Sequence, residues 1–233
     1  MKKLFALLFV AVLTLGMTVS CSYLKYTVKD DGDETTAEAT DAQTEAETLA
    51  ETPKVDGYDR GVTSEEGWIS KYFGLKFTPD SSMIMTTSEE IDAMMEVGAD
   101  AILGEENGKK LYDFTKITNV YEMMAVSLEG TSALVMAEKP LLSNISIDQY
   151  VEAVKSQFSK LTSQMAGLQI GEAVDYEFCG QTFKKMSISY SMSGVQIKQT
   201  YLLKKFDDRF LGVIITARDE ASFNKIAAMF SAA

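Results

Sequence analysis

Two sulfur atoms and one indole ring carry most of the chemistry in this sequence. Cys21 closes an N-terminal stretch in which Lys2 and Lys3 precede a run, residues 4–15, that is apolar apart from Thr14. Gly16, Thr18 and Ser20 then lead into the cysteine. The run is too short to span a bilayer and has the layout of a secretory leader, residues 1–20. A cysteine directly after a small residue at the end of such a leader is an acceptor for diacylglycerol, so Cys21 is the candidate lipidation site and first mature residue. Val19 and Ser20 suit the positions before a lipidated cysteine, whereas Thr18 stands where leucine is usual. Two acyl chains, at about 0.8 kcal/mol per buried methylene, anchor stably where one is marginal.

The other thiol, Cys179, falls in the polar register of a predicted strand beside the turn residue Gly180. Lys184 and Lys185 follow closely and would lower its pKa on folding near it, which makes Cys179 a candidate reactive thiol. The competing reading is an inert, half-buried small residue. With Cys21 acylated, Cys179 has no disulfide partner, and one thiol cannot build a zinc site. Trp68, the only tryptophan, sits beside Tyr72 and Phe73 and is a candidate partner-binding aromatic, unless it seals the end of the core. Met94-Met95 and Met123-Met124 have sulfur soft enough for copper. Both pairs lie in strongly patterned segments where methionine is an adaptable core filler, so no metal and no cofactor is expected.

Acidic pairs occur at Glu65-Glu66, Glu105-Glu106 and Asp207-Asp208, all at predicted ends or turns. A glycosidase needs two carboxylates fixed across a cleft, and solvated loop pairs do not supply that. The chain has no histidine. This removes the commonest general base, the Ser-His and Cys-His nucleophile pairs and imidazole ligation. No catalytic residue is assigned, and the expectation is a non-enzymatic protein. The alternative is an envelope hydrolase or transferase working through carboxylates or serine.

Charge divides the chain. The formal net charge is −12, and residues 29–56 hold ten acids against two lysines, with no aromatic residue. Such a stretch cannot bury enough surface to offset its ordering entropy, so residues 21–66 read as an acidic, disordered linker behind the anchor. Residues 67–233 read as one domain with a core of its own. The acidic balance argues against nucleic acid as a partner, since phosphates demand a basic surface. The partners expected are the membrane, through the N-terminal lipid, and an envelope protein or cell-wall component. The expected location is the extracytoplasmic face of a bacterial cell membrane.

Several elements must position these residues. Phe73, Leu75 and Phe77 alternate with small or polar residues, predicting one strand that runs from Trp68 and ends at Pro79. Thr87 and Glu90 form a capping box ahead of a helix closed by Gly104, and Ser146 and Gln149 form another ahead of the clearest helix, stopped by Gly167. Between them, apolar runs at 120–128 and 132–139 flank Glu129-Gly130-Thr131, a hairpin covered on two sides. A meander follows, with turns at Gly180-Gln181, Ser193-Gly194 and Asp207-Asp208. Its last strand, from Phe210 to Ala217, is apolar on both faces and therefore central. Asp219 caps a short final helix with Phe223, Ile226, Ala227 and Phe230 inward. The order β-α-β-β-α-β-β-β-β-α predicts an α+β domain, a mostly antiparallel sheet with helices packed on its faces.

That order, with its opening Gly74-Leu75-Lys76-Phe77-Thr78-Pro79 strand, resembles the PsbP/Mog1/DcrB-like fold. Ser88-Glu89-Glu90, Asp148-Gln149-Tyr150 and Gly180-Gln181-Thr182-Phe183 share in the resemblance, which runs from about Tyr72 to Phe230. More narrowly, the chain is similar to lipoproteins of clostridia and their relatives that carry such a domain behind a lipobox and an acidic linker. Relatives often place Gly-Trp shortly after the proline, where this chain has Ser82-Met83. The resemblance implies a small binding or accessory module and supplies no catalytic motif.

Overall fold

The computed structural model describes residues 57–94, 118–140, 144–160, 165–192 and 195–233. The leader and most of the linker, including Cys21, lie outside these residues. So do the expected Gly104 helix stop, the Glu105-Glu106 pair and the Ser193-Gly194 turn. Among the described residues no helix is long and apolar enough to cross a membrane.

In chain order the strands are β1 (Val62–Ser64), β2 (Gly67–Ser70), β3 (Leu75–Phe77), β4 (Met83–Thr86), β5 (Asn119–Ser127) and β6 (Ser132–Glu138), then β7 (Ala166–Ile170), β8 (Val174–Phe178), β9 (Gln181–Met192), β10 (Val195–Phe206), β11 (Arg209–Thr216) and β12 (Phe230–Ala232). Helix α1 is described over residues 88–94, α2 spans Ile147–Lys160 and α3 spans Glu220–Ala227.

The doubly apolar run at 210–217 forms β11, with every residue buried between β6 and β10. Around it an eight-stranded antiparallel sheet runs β4-β5-β6-β11-β10-β9-β7, with β8 also paired to β9. On one face, Tyr150, Val151, Val154 and Phe158 of α2 and Ile91 of α1 close over Met124, Leu134, Tyr201, Phe210 and Ile214. On the other, a four-stranded sheet β1-β2-β3-β12 and α3 close over Met123, Val135, Leu202, Leu211 and Val213. The domain is therefore α+β, with a central antiparallel sheet covered by helices on one face and by a small sheet plus a helix on the other.

Local chemistry explains the ends. Glu90 N–H donates to Thr87 Oγ1 at 3.2 Å while Thr87 N–H donates to Glu90 Oε2 at 3.0 Å. Ser146 and Gln149 repeat this at 2.9 and 3.2 Å, and Asp219 accepts from the N–H of Ser222 at 2.8 Å. These caps satisfy donors that the first helical turn leaves open.

Four expectations are corrected. The folded part includes residues 57–66, because β1 pairs with β2 and Tyr58 and Arg60 bond into β5. The single strand predicted from Trp68 to Phe77 is two, β2 and β3, paired across a turn in which Gly74 has φ +63°. Phe73 lies in that turn and is nonetheless buried. Gly167 does not stop a helix: it lies inside β7 at φ +67°, where the register with β9 shifts. Phe230 is inward, but on β12 opposite Phe77 rather than on the last helix.

Candidate functional site

Two polar places stand out, one at each end of the long strands. At one end β5 carries an extra residue relative to β6, a bulge at Glu122. A bulge lets two successive side chains point the same way. Here Tyr121 and Met124 face the helices, while Met123 and Glu122 face the small sheet. Glu122 is 1% exposed. Its carboxylate accepts from the Tyr58 hydroxyl, from Gly61 N–H at 2.8 Å and from Trp68 Nε1 at 3.2 Å. Arg60 donates to the carbonyl of Tyr121 beside it, and the Arg209 guanidinium lies 3.9 Å from the Tyr58 ring centre. Burial pushes the Glu122 carboxyl above the usual range, against the pull of Tyr58, Gly61, Trp68 and Arg60. Gly61 is required for this approach, since a Cβ there would fall on Trp68 Nε1 and Glu122 Oε2.

At the other end, a groove of about 300 Å³ opens between the start of β4, the β5–β6 turn and α3. Its rim carries Ile84 and Leu128, 57% and 85% exposed. Its polar lining is mostly hydroxyl, from Ser82, Ser127, Thr131 and Ser222. Ser127 Oγ and Thr131 Oγ1 bond to each other at 2.8 Å. Lys225 pairs with Asp80 at 3.0 Å and donates to Ser82 Oγ at 3.2 Å. The Ser82 hydroxyl, then Lys225, hold the Asp80 carboxyl down at about 2. Lys225 gives a hydrogen bond to Ser82 and is not placed to take its proton, so the pair is not arranged as a nucleophile and base. The groove offers apolar contact and hydroxyl hydrogen bonding, with Glu129 and the Asp80-paired Lys225 as its charged lining residues.

The residues singled out from the sequence are not brought together. Trp68 is not a surface aromatic: it is 2% exposed, its ring fills the core under the small sheet, and its N–H is spent on Glu122. Cys179 is half-buried in the two-residue turn between β8 and β9, at φ +53° beside Gly180 at φ +75°. The expected activating lysines are drawn elsewhere, Lys184 to Asp148 and Asp175, and Lys185 to Glu220. Burial pushes the Cys179 thiol up. Met123 and Met124 face opposite sides of the large sheet and cannot share a copper ion. Among the described residues no three His, Cys, Asp or Glu side chains are gathered as a metal site requires. Glu65 and Glu66 are exposed, and Asp208 pairs with Lys139 at 3.0 Å.

The buried carboxylates escaped the sequence reading. Glu122 and Glu138 are 1% and 0% exposed. The signal for both was an acid set within or directly after an apolar run. They cannot act on one bond, because Glu138 accepts from Tyr150 on the helix side and Glu122 from Trp68 on the small-sheet side.

The architecture defines a three-layer α+β domain. No family model matches the chain, and no curated protein matches it in sequence. Among solved structures it is similar to cyanobacterial PsbP from Synechocystis, with TM-score 0.44 and 9% identity over 76% of this chain and 99% of that one. It is also similar to LpqN, described as involved in cell envelope biogenesis of Mycobacterium tuberculosis, with TM-score 0.38 and 10% identity over 67% of this chain and 82% of that one. At such identities and scores neither likeness carries a function across.

Proposed function

We propose that this chain is a lipoprotein of the bacterial cell envelope, held by Cys21 to the extracytoplasmic face of the membrane, whose domain is a non-catalytic binding or accessory module for an envelope protein or cell-wall component. The observation that carries the reading is the opposition of the two ends. Tyr58, at the start of the described residues, lies beside Arg209 at the start of β11. The groove lies past Ser127, whose strand end runs level with Ser132 and Thr216 at the finish of β11. The seven steps from Arg209 to Thr216, at about 3.4 Å each, separate these ends by roughly 24 Å. The groove thus lies at the end of the domain opposite the described N-terminal residues, clear of the attachment of the tether. Residues 22–56 set the reach, at most about 120 Å if fully extended.

The test has two parts. Mass analysis of the N-terminal peptide should find acyl chains on Cys21, and Cys21→Ala should move the protein from the membrane fraction to the medium. A photo-crosslinking residue at position 128 should capture an envelope component in intact cells, while one at position 62, on the small sheet's outer edge, should not. An unmodified thiol on a freely released chain would remove the anchor. Identical capture from both positions would remove the groove.

A further inference from the structure

The Glu122 cluster points to a moving part that is independent of the anchor. Among the described residues, every hydrogen-bond donor to the Glu122 carboxylate comes from residues 58–68: the Tyr58 hydroxyl, Gly61 N–H and Trp68 Nε1. Trp68 is fixed in β2 and the core, whereas Tyr58 and Gly61 belong to a segment that buries little beyond the Tyr58 ring, with Asp59, Arg60, Val62 and Ser64 exposed. That segment ends in β1, at the edge of the small sheet, whose one strand partner among the described residues is β2. Val62 and Ser64 are exposed, and the other ties are the Tyr58 ring against Tyr72, Phe73 and Arg209, Arg60 to the Tyr121 carbonyl, and Thr63 Oγ1 to the Glu122 carbonyl at 3.1 Å. An edge strand with few buried apolar contacts is where local opening is cheapest.

We propose that residues 58–64 are a proton-sensitive clasp, closing over Glu122 and opening as a unit while the two cores stay folded. Closing removes water from a carboxylate. The groups that face it are Tyr58 and Arg60 from the clasp and Trp68 from β2, with Arg209 of β11 behind the Tyr58 ring. Arg60 is solvent-exposed, Tyr58 and Trp68 are neutral donors, and the buried Arg209 guanidinium lies against the Tyr58 ring and toward Asp208, so among the described residues no cation forms an ion pair with the carboxylate to offset its lost hydration. Opening returns the carboxylate to water and to its ordinary range.

The sign follows from which state holds the proton. With the closed-state carboxyl titrating higher than the open one, the closed clasp carries more protons between the two pKa values. Closure is then firmest below the ordinary carboxylate range. It weakens as pH rises through the raised value, by up to about tenfold in the closing equilibrium per pH unit within that window.

The experiment is hydrogen exchange on the full chain in detergent, read by mass spectrometry and corrected for the intrinsic pH dependence of exchange. Peptides over residues 57–66 should be less protected at neutral pH than at acidic pH, while peptides from β6 and β11 keep their protection at both. Glu122→Gln cannot ionise and should flatten that pH dependence with the clasp closed. Gly61→Ala blocks the approach without touching the charge and should leave the clasp unprotected at both pH values, with β6 and β11 still protected. Three results would overturn the proposal: protection of 57–66 that does not change with pH, an unchanged pH response in Glu122→Gln, or clasp exchange only together with β6 and β11. Because Gly61→Ala reports opening directly, a Glu122→Gln chain that fails to fold leaves the test standing.

Discussion

Tyr150 shows how one hydroxyl is committed. Its ring stacks on Phe210 at 4.0 Å between centres, and its O–H donates to Glu138 Oε2 at 2.7 Å in the buried interior. Tyr150→Phe keeps the stack and removes a donor from a buried acid. A buried acceptor losing one of its hydrogen bonds costs roughly 1–3 kcal/mol, so urea denaturation should show a loss of that size with an unchanged slope. Adding Glu138→Gln should restore part of it, because a neutral amide is desolvated more cheaply than a carboxylate. Cys179 predicts the opposite behaviour. Both central residues of its turn have positive φ, a conformation that asparagine tolerates and most side chains resist. Cys179→Asn should hold or raise the melting temperature, and a clear fall would give the sulfur a role that its position does not show.

At the scale of elements, the sequence was most readable where spacing and end chemistry agreed. Both capping boxes, the Asp219 cap, the β5–β6 hairpin and the central β11 formed where the residues placed them. Ser146→Ala should cost about 0.5–2 kcal/mol, visible as lost thermal stability and faster exchange in the first turn of α2. The short strands were not readable. β1 and β12 have three residues each, too few to show an alternation, and they exist because neighbours supply hydrogen bonds and cover, while the Leu75–Phe77 alternation marked β3 but not its separation from β2. Gly167 reads as a helix stop in sequence because its role, a positive-φ kink in an irregular strand, depends on β9 lying alongside. Glu122 was equally hidden. Its donors are 54 to 64 residues away in sequence, and no local pattern announces a partner at that distance.

For the whole molecule, the two cores share one sheet and differ in how they are closed. The helix-side core is sealed largely by α2, continuous in sequence. The opposite core is sealed by segments from both ends of the domain, β1 to β3 on one side and α3 with β12 on the other. Phe230 is the pin of that second closure, its ring 4.7 Å from Phe77 and 5.3 Å from Phe178. Phe230→Ala should cost about 3–5 kcal/mol, the range for emptying a buried aromatic site, and should loosen the small sheet before the helix side in exchange measurements.

The pairing of β12 with β3 also sets an order of events. Residues 230–232 must reach Leu75–Phe77, so the layer they share joins parts of the chain more than 150 residues apart. During synthesis, β3 is made early and stays without its outer neighbour until the last strand is released. Until then Phe77 and Phe178 lack their cap, and the nascent chain shows an apolar strip to whatever chaperone or channel handles it. Contacts of such separation form late, because a large loop must close before they are rewarded. A chain shortened by its final four residues should therefore remain a client of that machinery.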